Sequence, residues 1–188
     1  MTGRIEKLQK KFNLTVKWRT FPLHPETPEE GILLSDMFNT TTERISIMVA
    51  ELQKTAKSLD LPFNARTMTY NTRLAQELGL WAEDQGQGDT FHLNAFHAYF
   101  ADGINLAKIP ELLRLAEKSG LNKGKAQEVL MTRSYAEKVD FDWAESRFKQ
   151  ITAVPTFIMG HHKLTGAQSY ETLEELVKLY DTPLKKDK

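Results

Sequence analysis

Strand-forming patterns in this chain sit toward its two ends, and a long run of helical patterns separates them. Leu14, Val16, Trp18 and Thr20 alternate with Thr15, Lys17 and Arg19, the period of two that assigns successive side chains to opposite faces of a strand. The second β-like stretch, ITAVPTFIMG at Ile151 to Gly160, is apolar and β-branched. A turn at GHHK leads from it to another short strand near Lys163 to Thr165. A sheet assembled from such pieces must bring the two ends together and leave the middle as an insertion. The expected architecture is α/β, with residues 1–64 and 148–188 forming the sheet-bearing domain and 65–147 an all-helical subdomain. The sheet is thin, because one strand precedes the insertion and two follow it.

Apolar spacing and capping residues place the helices. Ile5, Leu8 and Phe12 recur at three and four residues, so Gly3 to Phe12 is amphipathic. From Thr42 to Leu59, the residues Ile45, Met48, Val49, Leu52 and Ala56 share a face, with Thr41 or Thr42 as cap. Asn71 caps a helix whose buried stripe is Leu74, Ala75, Leu78 and Trp81 or Ala82. Phe91, Ala95, Phe96, Tyr99 and Phe100 mark one side of the next. Pro110 suits a first turn, Gly120 a C′ position, and Asn122 another cap. A helix over about Tyr135 to Lys149 follows, and the last one starts after Ser169. PLHPETPEEG reads as an ordered loop and FNARTMTYN as short and partly β-like.

Composition removes several functions. Lys plus Arg and Asp plus Glu are 25 each among 188 residues, so no net charge draws the chain to nucleic acid or an anionic membrane. No apolar run reaches the roughly 20 residues of a membrane span, and the first residues lack a signal-peptide apolar core. A cytoplasmic location is the expectation, and KKDK at Lys185 to Lys188 reads as a solvated end. There is no cysteine, so these 188 residues hold no disulfide, thiolate nucleophile or zinc–thiolate site.

The histidines do not form a metal motif. His92 and His97 are five apart, which splits them across a helix surface, and His161 and His162 belong to a hairpin tip. His24 lies in the proline-rich loop after the first strand, a type of position that more often carries function. No phosphate-binding glycine loop or nucleophile elbow occurs. Pro155 is the anomaly: proline gives no N–H to a ladder, yet it opens the strand TFIM.

The order of segments supplies a reason. AVPTFIMGHHKLTGAQSYETLEEL resembles the C-terminal half of a thioredoxin fold. VKWRTFPLHP, NTRLAQELGLWAEDQG, LNAFHAYFADGINL and LLRLAEKSGLN resemble pieces of DsbA-like proteins of the FrnE and 2-hydroxychromene-2-carboxylate isomerase group, the last three falling in its inserted helical subdomain. The resemblance covers about Arg4 to Val177. It implies a thioredoxin-like fold in which Pro155 follows a cis peptide bond and faces the reactive thiols, with a substrate backbone pairing at Val154. It likewise implies a substrate-facing Val154-Pro155-Thr156 run, with His24, Gln168 and Ser169 as further candidates. The chain departs from the group at His24, where FrnE-like proteins tend to have asparagine, and at Gln150 and Ala153, which replace glycines.

In this family a strand and a Cys-x-x-Cys turn precede the first helix, whereas here the sequence opens within that helix. Met1 falls where the residues just past the second cysteine would be, so the resemblance implies a Cys-x-x-Cys turn upstream of Met1 and no catalytic residue within the chain. The expectation is a protein N-terminally truncated by roughly 20–30 residues, one strand and a turn, whose intact form is a thiol–disulfide oxidoreductase acting on a protein or small-molecule thiol or disulfide. Lacking thiols, the chain itself is expected to be inactive. The alternatives are a glutathione-dependent isomerase or transferase of the kappa-like branch, with glutathione as cofactor and its γ-glutamyl end near Gln168 and Ser169, and a cysteine-free binding protein. A homodimer is left open.

Overall fold

Helix periodicity governs most of the architecture. The computed structural model describes residues 2–58 and 60–185. Among them the helices are α1 (Thr2–Lys11), α2 (Leu34–Met37), α3 (Thr42–Ser58), α4 (Arg73–Asp84), α5 (Gly88–Phe100), α6 (Ile109–Lys118), α7 (Lys123–Thr132), α8 (Ala136–Phe148) and α9 (Tyr170–Leu179). The strands are β1 (Ile32–Leu33), β2 (Met68–Thr69), β3 (Thr156–Met159) and β4 (His162–Thr165). Met1, which marks the expected position just past the thiol turn, lies outside the described residues. So do the expected end of α3 at Leu59 and most of the Lys185 to Lys188 tail.

The chain divides into two compact units, one of residues 1–21 with 142–188 and the other of 22–141. The sequence pattern puts 22–64 with the ends. That segment instead packs within the second unit: β1 pairs antiparallel with β2, and Leu34, Ile45 and Val49 form a small core with Met37 and Phe63. The division falls between Phe141 and Asp142, earlier in α8 than the 147/148 boundary of the sequence pattern.

In the second unit, α4 to α7 enclose the main core. Leu78, Phe91, Leu112, Ala116, Ala126 and Leu130 are almost fully buried there. Asn122 accepts the Lys125 N–H at 3.0 Å and so caps α7. Asn71 accepts the Arg73 N–H at 2.8 Å at the start of α4. Two expected stripes are broken. Met48 and Leu52 are about half exposed on α3, because that helix buries only the line of Ile45, Val49 and Ala56. Phe96 is likewise exposed, since Phe91 and the partly buried Ala95 and Tyr99 meet the core.

The first unit packs α1 and α9 against the β3–β4 hairpin. Leu8, Phe12, Leu173 and Val177 are its buried centre, with Phe157, Met159 and Leu164 against them. The expected strand at Leu14 to Thr20 does not form. Its side chains do alternate, Leu14, Val16, Trp18 and Thr20 being half-buried and the intervening residues exposed, but no ladder is built on it among the described residues. A strand exists only through a neighbour that satisfies its N–H and C=O groups. Among the described residues the β-type contact at this end is a bridge between Phe12 and Leu184, and the Thr20 N–H donates instead to the Asp142 carboxylate at 2.9 Å. Among the described residues the expected three-stranded sheet is therefore reduced to the β3–β4 pair, and β1 with β2 makes a separate two-stranded sheet.

Candidate functional site

The approach to Pro155 is a tied-down loop. After α8, Gln150 takes a left-handed conformation, φ 52°, a geometry that glycine adopts most easily. The Gln150 and Ile151 N–H groups donate back to the carbonyls of Arg147 and Ser146, both at 2.9 Å. The Lys163 ammonium, on β4, reaches the carbonyls of Lys149 and Gln150 at 3.3 Å. Thr156 closes the far side by donating its hydroxyl to the Ala153 carbonyl at 2.6 Å.

These ties leave Val154 free. The Val154–Pro155 peptide is cis. Pro155 has no N–H, but its carbonyl accepts the Gly166 N–H at 2.8 Å, and the ladder runs from there, Thr156 opposite Thr165 through Met159 opposite His162. Among the described residues no hydrogen bond engages Val154, which is 43% exposed. The loop therefore presents one unengaged peptide unit directly before a strand that, among the described residues, has a partner on one edge only. Such an edge is a template for an extended chain.

Gln168 and Ser169 are brought to the same end of the hairpin but are already occupied. The Gln168 amide turns back to the Thr165 carbonyl at 2.7 Å, and its own carbonyl accepts from Arg4 at 2.5 Å. Ser169 caps α9, its hydroxyl accepting the Thr172 N–H at 3.1 Å. Glu171 sits in the first turn, where its backbone N–H and the Ser169 hydroxyl hold its carboxyl below the ordinary value. The helix thus supplies its own anion at the N-terminus.

His24 belongs to the other unit. It adopts φ 51°, and its carbonyl accepts from the Thr27 N–H and hydroxyl at 3.1 and 2.8 Å. Its ring meets Phe38 edge-on, with centroids 6.3 Å apart. His161 and His162 do more than cap a hairpin: the Tyr180 hydroxyl accepts the His161 N–H at 3.0 Å and lies 2.8 Å from His162 Nδ1. Nothing in the local sequence pairs a tyrosine 18 residues later with that turn. Among the described residues no three His, Asp or Glu side chains gather as a metal site, and no helix is long and apolar enough to cross a membrane.

The DSBA-like thioredoxin domain matches residues 1–178. The chain belongs to that family. It is 27% identical over 169 residues to the uncharacterized protein YwbO of Bacillus subtilis, covering 88% of this chain and 82% of the relative. The fold is similar to that of a probable DsbA oxidoreductase from Streptomyces coelicolor, with a TM-score of 0.86, 24% identity and coverage of 98% and 86% of the two chains. It is also similar to 2-hydroxychromene-2-carboxylate isomerase, with a TM-score of 0.71 at 17% identity over 96% and 86%. The DsbA-like family thus includes this chain with its proline-opened strand, and neighbours of its fold carry both oxidoreductase and isomerase descriptions.

Proposed function

We propose that this chain is the substrate-pairing part of a DsbA-like thiol–disulfide oxidoreductase, and that the reacting thiols come from a polypeptide segment outside these 188 residues. The observation that carries the reading is the unengaged Val154 peptide ahead of β3. A substrate strand laid there would exchange backbone hydrogen bonds with Val154 and be held beside an attacking sulfur. In the reaction a thiolate attacks one sulfur of a disulfide, a new S–S bond forms, and the other sulfur departs as thiolate. The sequence contains no cysteine, so this chain contributes binding and orientation to that exchange but no nucleophile. The alternating Leu14 to Thr20 segment, on which no ladder is built among the described residues, supports the same reading, because a strand bearing the thiols could pair with it.

The glutathione-linked alternative has less behind it. Gln168 and Ser169 direct their polar groups to local partners, and Glu171 already places a carboxylate at the start of α9.

The test is insulin reduction by dithiothreitol, followed as turbidity. The chain alone is expected to match the protein-free control. The same chain extended at its amino end by an apolar strand and a Cys-x-x-Cys turn is expected to accelerate precipitation. Failure of a folded extended protein to do so overturns the redox reading.

A further inference from the structure

A cleft of about 350 Å³ lies wholly within the second unit, between α3, the 65–70 segment and the end of α5. Its size falls in the range of small-ligand sites. Ile45 and Val49 of α3, with Met68 and Tyr99, make its apolar wall, and Gln53 and Arg66 stand among its polar groups. Among the described residues no Asp or Glu lines it.

Arg66 is the unusual member. Its guanidinium carbon lies 5.0 Å from the Tyr99 ring centroid and 5.2 Å from that of Phe100, within cation–π range. Among the described residues no carboxylate or carbonyl accepts from it. Ring faces take up no conventional hydrogen bond, so the guanidinium N–H groups stay available to a carboxylate, which they recognise in a two-pronged fashion.

The backbone around Arg66 is fixed on both sides. Asn64 donates its N–H to the Phe100 carbonyl at 2.9 Å and its side-chain amide to the Ala101 carbonyl at 2.6 Å. Phe63 stacks on Phe100 with centroids 5.7 Å apart. On the other side the Thr67 carbonyl accepts the Leu34 N–H at 2.8 Å, and Met68 pairs with Leu33. Tyr99 is itself held, its hydroxyl lying 2.8 Å from Thr69 Oγ1 and 3.2 Å from the Tyr70 nitrogen. The cation is thus positioned before any ligand arrives, which lowers the ordering cost of binding.

We infer that this cleft binds a small organic carboxylate, with the acid group on the Arg66 guanidinium and an apolar body against Ile45, Val49 and Met68. The site is independent of the redox reading, since every residue in it belongs to the second unit.

Phenylacetate and its uncharged isostere phenylacetamide test this on the wild-type chain, by calorimetry and by backbone amide NMR shifts. Phenylacetate is expected to bind saturably, with shifts confined to α3, 65–70 and 99–103, and on the order of tenfold or more tighter than the amide. Arg66→Met, which keeps an apolar stem, is expected to remove that preference while leaving the amide's affinity unchanged. Arg66→Lys, should the first variant fold poorly, is expected to retain only part of it. Equal affinity for acid and amide, shifts elsewhere, or no saturable binding of phenylacetate to the wild type would each overturn the assignment.

Discussion

Replacing Glu77 by glutamine should destabilise the 22–141 unit more than almost any other single exchange of equal volume. Its carboxylate is fully buried on α4. Arg133 holds it with two prongs, Nε to Oε2 at 2.7 Å and Nη2 to Oε1 at 2.6 Å. Arg73, one turn earlier, adds Nε to Oε1 at 2.7 Å, and itself reaches Asp140 at 2.7 Å and the Ala136 carbonyl at 2.9 Å. Burial works against the Arg73 charge, but Asp140 and Glu77 outweigh it and keep the guanidinium more basic than usual. Hydrogen bonding to Glu77 does the same for Arg133, against burial. Glutamine would aim an NH2 group at one of the two guanidinia and cancel the compensating charge. Breaking a buried pair from one side costs about 3–5 kcal/mol. The Arg133 side chain is 48% exposed and can turn to water, so about 2–4 kcal/mol is expected here. With a urea slope of roughly 2 kcal/mol per molar, the midpoint should fall by about 1–2 M. Far-UV circular dichroism follows it, since α4 to α7 lie in this unit. Arg133→Met alone and combined with Glu77→Gln completes a cycle, and the double variant should be better than the sum of the two singles. A midpoint within about 0.3 M of wild type, or strict additivity, would refute the argument that the network holds the helices together.

Three further outcomes follow from local geometry. Glu174 is drawn from the ordinary 4.5 to about 2 by hydrogen bonds from Lys11, Lys178 and the Tyr170 hydroxyl. A depressed carboxyl gives stability that is present above its unfolded value and lost as pH falls toward 2. Melting temperatures between pH 6 and pH 2 should therefore fall more steeply in wild type than in Glu174→Gln, and parallel profiles would contradict this. Ser169→Ala removes the α9 cap and should cost about 1 kcal/mol, read as a urea midpoint shift, whereas Ser169→Asp should recover most of it. Gly160→Ala would drive a methyl group into the Tyr180 hydroxyl at a residue with φ 55°, so hairpin amides should lose hydrogen-exchange protection.

What could be read from the residues was whatever a short window determines. Asn122 and Ser169 cap their helices as their positions suggest, and the alternation of Leu14 to Thr20 is visible in its burial. What could not be read depends on partners distant in sequence. Strand character at Leu14 to Thr20 needs a neighbour, and alternation says nothing about whether one is present. Glu77 looks like an ordinary surface glutamate of a helix until Arg133, 56 residues later, is placed beside it. Met48 and Leu52 fit a helical stripe, but how wide a face α3 buries is decided by what packs on it. At the candidate site, Val154 and Pro155 were indicated by family resemblance and by a proline where a strand begins. Arg66 gave no sign of a cleft, because the contact that joins it to Tyr99 spans 33 residues.

The central claim, that Val154 receives the substrate backbone, is tested most directly on a trapped complex. The extended protein with a Cys-x-x-Ser turn can be locked to a cysteine-containing peptide as a mixed disulfide, and amide hydrogen exchange at Val154 measured with and without the peptide. The account predicts that the Val154 amide, unengaged in the free chain, becomes strongly protected in the complex while residues of α6 and α7 do not change. Formation of the mixed disulfide with no added protection at Val154 would contradict it.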